Sequence, residues 1–163
     1  MRTLYIVRHA KSSWADPGMS DFDRPLNERG MHDAPMMAER FDGRLEPVDL
    51  LMSSPAKRAL TTANFFAAAL ENAPVHEIPE LYLADRRSLL YIIGKLPDGV
   101  RQAMLFGHNP GVSELVELLT GNGIGDMPTC ATVRIDLHVA TWQEVVAGTG
   151  TLKWWDTPKS DQG

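Results

Sequence analysis

Three short stretches of this sequence carry residue types suited to one kind of chemistry. They are Arg8-His9 in "RHAKSSW", Arg58 in "SSPAKRA" and His108 in "GHNPG". Arginine presents a planar fork of donors that matches phosphoryl oxygens, and imidazole can attack phosphorus or carry protons near neutral pH. Each stretch directly follows an apolar run, at residues 4–7, 48–52 and 103–106. Taken singly, each has an ordinary reading: Arg8-His9 as a solvated turn, Arg58 as an exposed helical arginine, His108 as a cap before Pro110. Together, after three separate apolar runs, they predict one pocket for a phosphate- or sulfate-like anion. Ser12, with Lys11 and Ser13, is a further candidate to line it, and a plain loop is the equal alternative.

The three runs read as buried strands. Asn27 is placed to cap a helix from Glu28, with Ala34, Met37, Ala38 and Phe41 at helical spacing and Pro35 expected to kink or break it. Residues 56–70, 85–96 and 112–119 read as helices, and 133–137 with 141–146 as a closing antiparallel pair. The order β-α-β-α-β-α-β-β predicts an α/β layered domain with a mostly parallel sheet and an antiparallel edge. In open sheets of this kind ligands bind outside the carboxyl ends of the strands. Ser53 or Ser54 before Pro55, and Asn109 before Pro110, are predicted to cap helices whose first turns favour an anion. One domain is expected over residues 1–156, with 157–163 as a flexible polar tail.

Composition narrows the function classes. A length of 163 residues suits one compact domain, and 44% apolar with 23% charged residues is ordinary for a soluble globular protein. A net charge of −5 gives no global basic footprint for nucleic acid or an anionic membrane, so any anion site must be local. The single cysteine, Cys130, excludes an internal disulfide and a multi-cysteine zinc site, and is expected to be an inert core residue. The apolar run before Arg8 is too short for a signal-peptide core and no segment has the length of a membrane span, so a cytoplasmic location is expected. His32, His76 and His138 read as ordinary histidines, there is no HExxH pattern, and no metal or cofactor is expected. Asp23 and Arg24 are expected to form a structural pair.

"RHAKSSW" with "SSPAKRALTTA" and "GHNPGVSELV" resembles the histidine phosphatase superfamily, of phosphoglycerate-mutase-like fold. The likeness runs over essentially the whole chain with the motifs in order. The short length and "DFDRPLNERGMHDAP" make it similar to the phosphohistidine phosphatase, or SixA-type, branch. The resemblance implies three layers with helices on both faces of the sheet. It implies that His9 is the nucleophile and becomes phosphohistidine, that Arg8 and Arg58 bind the phosphoryl oxygens, and that His108 contacts the same group.

The chain departs from the wider family at two places. Ala15 follows Trp14 where an asparagine is common shortly after this position, and "LYLADRRSLL" carries no glutamate general acid, Asp85 being the nearest carboxylate. An alcohol leaving group needs a proton in the transition state, whereas a phosphorylated imidazole leaves as a far weaker base. The expected substrate is therefore phosphohistidine in a protein. Small phosphate monoesters are the alternative, and a non-catalytic phosphate-binding module is a third reading that requires a blocked His9.

Overall fold

In the strands, apolar residues point alternately to opposite sides. Leu4 and Ile6 join one buried cluster, Tyr5 and Val7 the other, as the two-residue period of an extended chain requires. A strand apolar on both faces must be covered on both faces. The computed structural model, which describes residues 1–160, shows how. Its strands are β1 (Arg2–Arg8), β2 (Leu50–Ser53), β3 (Val75–Glu77), β4 (Gln102–Gly107), β5 (Thr132–Leu137) and β6 (Gly150–Asp156). Its helices are α1 (Glu28–Asp42), α2 (Lys57–Ala69), α3 (Arg86–Gly94) and α4 (Gly111–Thr120). The sheet order is β3-β2-β4-β1-β5-β6. β1 to β4 are parallel, and β5 and β6 form the antiparallel edge. Helices α1 and α2 supply Met37, Phe41, Ala63 and Phe66 to the face of Tyr5 and Val7. Helices α3 and α4 supply Leu89, Ile93, Val112 and Leu115 to the face of Leu4 and Ile6. The expected three-layer arrangement is the observed one.

Several local expectations are corrected. Residues 141–146 are not a strand. Trp142 opens a short 3₁₀ turn, its ring fully buried and its Nε1 donating to the Val100 carbonyl at 2.7 Å, so the segment plugs the core instead of pairing. The partner of β5 is β6, where exposed and half-buried residues alternate until Asp156. Its Trp154 turns inward against Tyr5 and Phe41, with ring centroids 6.3 and 6.2 Å away. The three-residue edge strand β3 is too short to show a period. Pro35 does not break α1, because Ala34, Met37, Ala38 and Phe41 hold both sides of it on the sheet. Asn27 caps α1 as expected, accepting from the Gly30 N–H at 2.9 Å. Helix α2 instead starts at Lys57 behind Ala56, and α4 at Gly111 behind Pro110, neither with a side-chain cap.

Toward the C-terminus, Arg40 Nη1 donates to the Thr157 carbonyl at 3.1 Å and to Ser160 Oγ at 3.2 Å. Of the stretch expected to be a flexible tail, residues 161–163 lie outside the described residues.

At the start of α4 the backbone passes so close to the turn before α3 that a Cβ on Gly111 would collide with the carbonyl oxygen of Ala84. That contact fixes the helix three residues after His108. Gly111→Ala is expected to destabilise the fold by about 1–3 kcal/mol, as overpacking does. Gly99→Ala, where a methyl group meets nothing, should leave the urea midpoint unchanged. Equal midpoints for the two variants would contradict the packing described.

Candidate active site

Strand register brings the three motifs to one edge. Arg8 lies beside Gly107, and Ser53 beside Phe106. The bonding continues one residue further, with His9 N donating to Gly107 O at 3.2 Å and Ser54 N to Phe106 O at 3.1 Å. A cavity of about 480 Å³ opens there, lined by Arg8, His9, Ser12, Arg58 and His108, with Arg24 at its side. All five residues singled out in the sequence thus face one space. A separate, larger groove of about 590 Å³ beside α3 is lined by Ile78, Tyr91 and Ile92 and holds none of them.

His9 is 7% exposed. Its Nδ1 sits 2.7 Å from the Ala10 carbonyl, which can only accept, so the ring proton is on Nδ1 and the lone pair on Nε2. Burial, with smaller effects from Arg58 and Arg8, pushes its pKa down to about 4 against the raising effect of the Ala10 bond. The loop carrying it is tied to α2: Ala10 N donates to Thr62 Oγ1 at 3.0 Å, and Thr62 Oγ1 donates to the Arg58 carbonyl at 2.8 Å. Behind it, Cys130 N donates to the carbonyls of Arg8 and His9 at 3.0 and 3.1 Å. The Cys130 thiol is buried, and burial raises its pKa, as expected of an inert core residue.

His108 is 3% exposed, and its ring centroid is 5.3 Å from that of His9. Its Nε2 meets Ser54 Oγ at 2.8 Å, while the same oxygen accepts from Ala56 N at 3.2 Å. Its Nδ1 has no partner in the protein. Burial first, then the neighbouring His9 and Arg58, push its pKa down to about 3. This use of Ser54 explains the lost helix cap. Asn109 is likewise diverted, its Nδ2 donating to the Met127 carbonyl at 3.0 Å and its Oδ1 accepting from Ser113 Oγ at 2.5 Å.

Arg8 Nη1 donates to Met127 O at 2.8 Å, and burial lowers the pKa of its guanidinium. Arg8 Nε, Arg58 Nε and His108 Nδ1 are all buried nitrogens without a hydrogen-bond partner in the protein. Unpaired buried donors are costly. The three residues that carry them line the same cavity.

Sequence reasoning missed the residues that hold these groups. Asp21, not Asp23, pairs with Arg24, at 3.1 Å, and also with Arg58 at 3.0 Å. Tyr82 OH donates to Asp21 at 2.5 Å, and its ring lies edge-on to His108. The three-residue step from Asp21 to Arg24 was the available signal. Ser12 Oγ accepts from Arg24 Nη1 at 2.8 Å, so its main bond is to the protein. Asp85 caps α3, accepting from Ser88 N at 2.8 Å, which lowers its carboxyl pKa; it does not line the cavity. Glu80 lies on the wall of the separate groove beside α3.

Among the described residues no cluster of His, Cys, Asp and Glu could hold a metal ion, and no helix is long and apolar enough to cross a membrane.

The model of branch 1 of the histidine phosphatase superfamily matches residues 4–82. An uncharacterized chloroplastic protein of Arabidopsis thaliana is 32% identical over 94% of this chain and 74% of its own length. A structure from Agrobacterium tumefaciens, assigned as the phosphohistidine phosphatase SixA, superposes with a TM-score of 0.84 at 29% identity, over 96% of this chain and 98% of that one. The protein histidine phosphatase SixA complexed with tungstate gives 0.82 at 26% identity, over 96% and 97%. A mycobacterial glucosyl-3-phosphoglycerate phosphatase shares the fold, with a TM-score of 0.68 at 16% identity over 95% and 98%. The fold that carries this cationic pocket is shared with these phosphatases, and this chain belongs to the histidine phosphatase superfamily.

Proposed function

We propose that this chain hydrolyses phosphohistidine in a protein, by way of a covalent intermediate on His9. The observation that carries the reading is the fixed tautomer of His9: a neutral, buried imidazole with Nδ1–H held by Ala10 and the Nε2 lone pair free. Such a group attacks phosphorus without a separate base. The bond from His9 Nε2 to phosphorus forms as the bond to the leaving nitrogen breaks, and the electron pair departs with the substrate imidazole, whose other nitrogen carries a proton taken from solvent so that it leaves neutral. Arg8 and Arg58 hold the phosphoryl oxygens, and His108 donates from Nδ1 to the same group. Charge spread over those oxygens is what phosphoryl transfer must stabilise. Water then attacks phosphorus, the electron pair returns to His9 Nε2, and phosphate leaves with the oxygen of water, one of the water's protons staying on the phosphate and the other passing to solvent. All the positive charge in this scheme comes from side chains, so turnover is expected to persist in excess chelator.

The substrate class follows from which proton donors are present. No carboxylate lines the cavity among the described residues. Asp21, beside it, has its pKa lowered to about 2, first by the hydrogen bond from Tyr82 and then, against desolvation, by those from Arg58 and Arg24. At neutral pH it has no proton to give an alkoxide. An imidazole leaving group needs little help. A SixA protein of the same fold forms a complex with tungstate, which supports an oxyanion as the ligand here; a phosphoprotein partner and a cytoplasmic location are part of this proposal. Small monoesters remain the second reading, favoured by the glucosyl-3-phosphoglycerate phosphatase of the same fold.

His9→Ala is expected to abolish turnover. His108→Ala should slow it by about 10²- to 10³-fold, the usual effect of losing one transition-state donor. Wild-type rates at His9→Ala would disprove the assignment. In pH profiles His9 becomes competent as it loses its proton, so kcat/KM corrected for substrate ionisation should rise through about 4 and be flat across 6.5. An acidic limb at 6.5 would show that burial does not neutralise the ring. Across substrates, rates should fall from a phosphohistidine peptide to p-nitrophenyl phosphate to a sugar phosphate as the leaving group becomes more basic. Equal turnover of the first and last would promote the small-ester reading.

A further inference from the structure

The pocket's cations are not all turned toward a substrate. Arg58 Nη1 donates to the main-chain oxygen of Asp21 at 2.7 Å and Nη2 to its Oδ2 at 3.0 Å, leaving Nε unpaired. Arg24 Nε and Nη2 donate to Asp21 Oδ1 at 3.3 and 3.1 Å, and Nη1 donates to Ser12 Oγ at 2.8 Å. The Trp14 ring covers a face of the same guanidinium, 3.6 Å from its central carbon. Tyr82 OH completes the ring of donors around the Asp21 carboxylate, and Tyr82 is itself packed edge-on against Phe22 at 5.1 Å. The turn bearing Asp21 is pinned by Ser20, whose Oγ accepts from Asp23 N at 3.3 Å. Asp21 is thus a fixed negative charge bridging two arginines that both line the phosphoryl cavity, with its side chain still 42% exposed.

We propose that Asp21 determines specificity: clamped between Arg58 and Arg24 beside the pocket, its carboxylate occupies donors of both guanidiniums and so excludes substrates that bear a second anionic group next to the phosphate. This rests on the phosphatase reading above and adds to it the class of substrate refused. A carboxylate beside the transferred phosphoryl group must compete with Asp21 for the same N–H groups, and it meets a like charge within a few ångströms. Glucosyl-3-phosphoglycerate, on which a protein of this fold acts, carries such a carboxylate. The imidazole of a phosphohistidine does not.

Methylphosphonate and phosphonoacetate test this directly, since they differ by one carboxylate and neither can be hydrolysed as a phosphate ester. Binding to the full chain is read by calorimetry, alongside p-nitrophenyl phosphate turnover. Wild type should bind phosphonoacetate about tenfold more weakly than methylphosphonate, the size expected of a like charge a few ångströms away at a partly solvated site. In Asp21→Asn that difference should vanish or reverse, and in Asp21→Glu it should persist. Asp21→Ser replaces the asparagine variant if melting shows the latter unfolded. A general loss of stability would weaken both ligands together and leave the ratio unmoved. Phosphonoacetate binding wild type as well as methylphosphonate does, or a ratio that survives removal of the carboxylate, overturns the proposal. A chain that discriminates between the phosphonates but turns over no phosphorylated substrate refutes the phosphatase reading alone. An active chain that does not discriminate refutes the selectivity alone.

Discussion

Three arginines and two histidines packed around one cavity would repel one another if all were charged. Arginine cannot give up its proton under ordinary conditions, so the histidines must. Burial does this, pushing His9 to about 4 and His108 to about 3. The same desolvation that makes the cluster tolerable keeps both imidazoles neutral, as the proposed roles of His9 as nucleophile and His108 as donor require. Its cost appears as buried Nε groups on Arg8 and Arg58 and an Nδ1 on His108 with no hydrogen-bond partner in the protein.

That arrangement is only as good as the frame beneath it. The parallel register of β1, β4 and β2 sets Arg8, Gly107 and Ser53 at one level, and each following residue reaches the cavity or braces a group that does. Both sheet faces are covered by helices, so the strands cannot slip without exposing one buried cluster. Local braces then fix single side chains. Ala10 sets the His9 tautomer, Ser54 holds the His108 ring, and Thr62 ties the His9 loop to the helix carrying Arg58. Precision of this kind lets electrostatic stabilisation act without reorganisation at the moment of transfer.

The fold and the members of the pocket were legible because they rest on strong local signals. Short apolar runs, broken only by Asp49 in the second, marked β1, β2 and β4, and polar residues immediately after them could only lie at the strand ends. What was not legible depends on contacts far apart in sequence. Trp142 in a β-like segment becomes a core plug because Val100, 42 positions away, accepts its N–H. Ser54 looks like a helix cap until His108, 54 positions on, takes its hydroxyl. Asp21 looks like a loop aspartate until Tyr82, 61 positions on, and Arg58 close around it. Each time a local preference lost to a tertiary partner that periodicity and spacing cannot show.

The central claim is that the phosphoryl group passes through His9. Rapid acid-free quenching of wild type during turnover of a ³²P-labelled phosphohistidine peptide, followed by peptide mapping, tests it most directly. The account predicts label on the peptide containing His9, stable to base and lost in acid, as a phosphorus–nitrogen bond requires, and absent from His9→Ala. Full turnover with no protein-bound label, or an acid-stable label on Ser12 or Ser13, would contradict it.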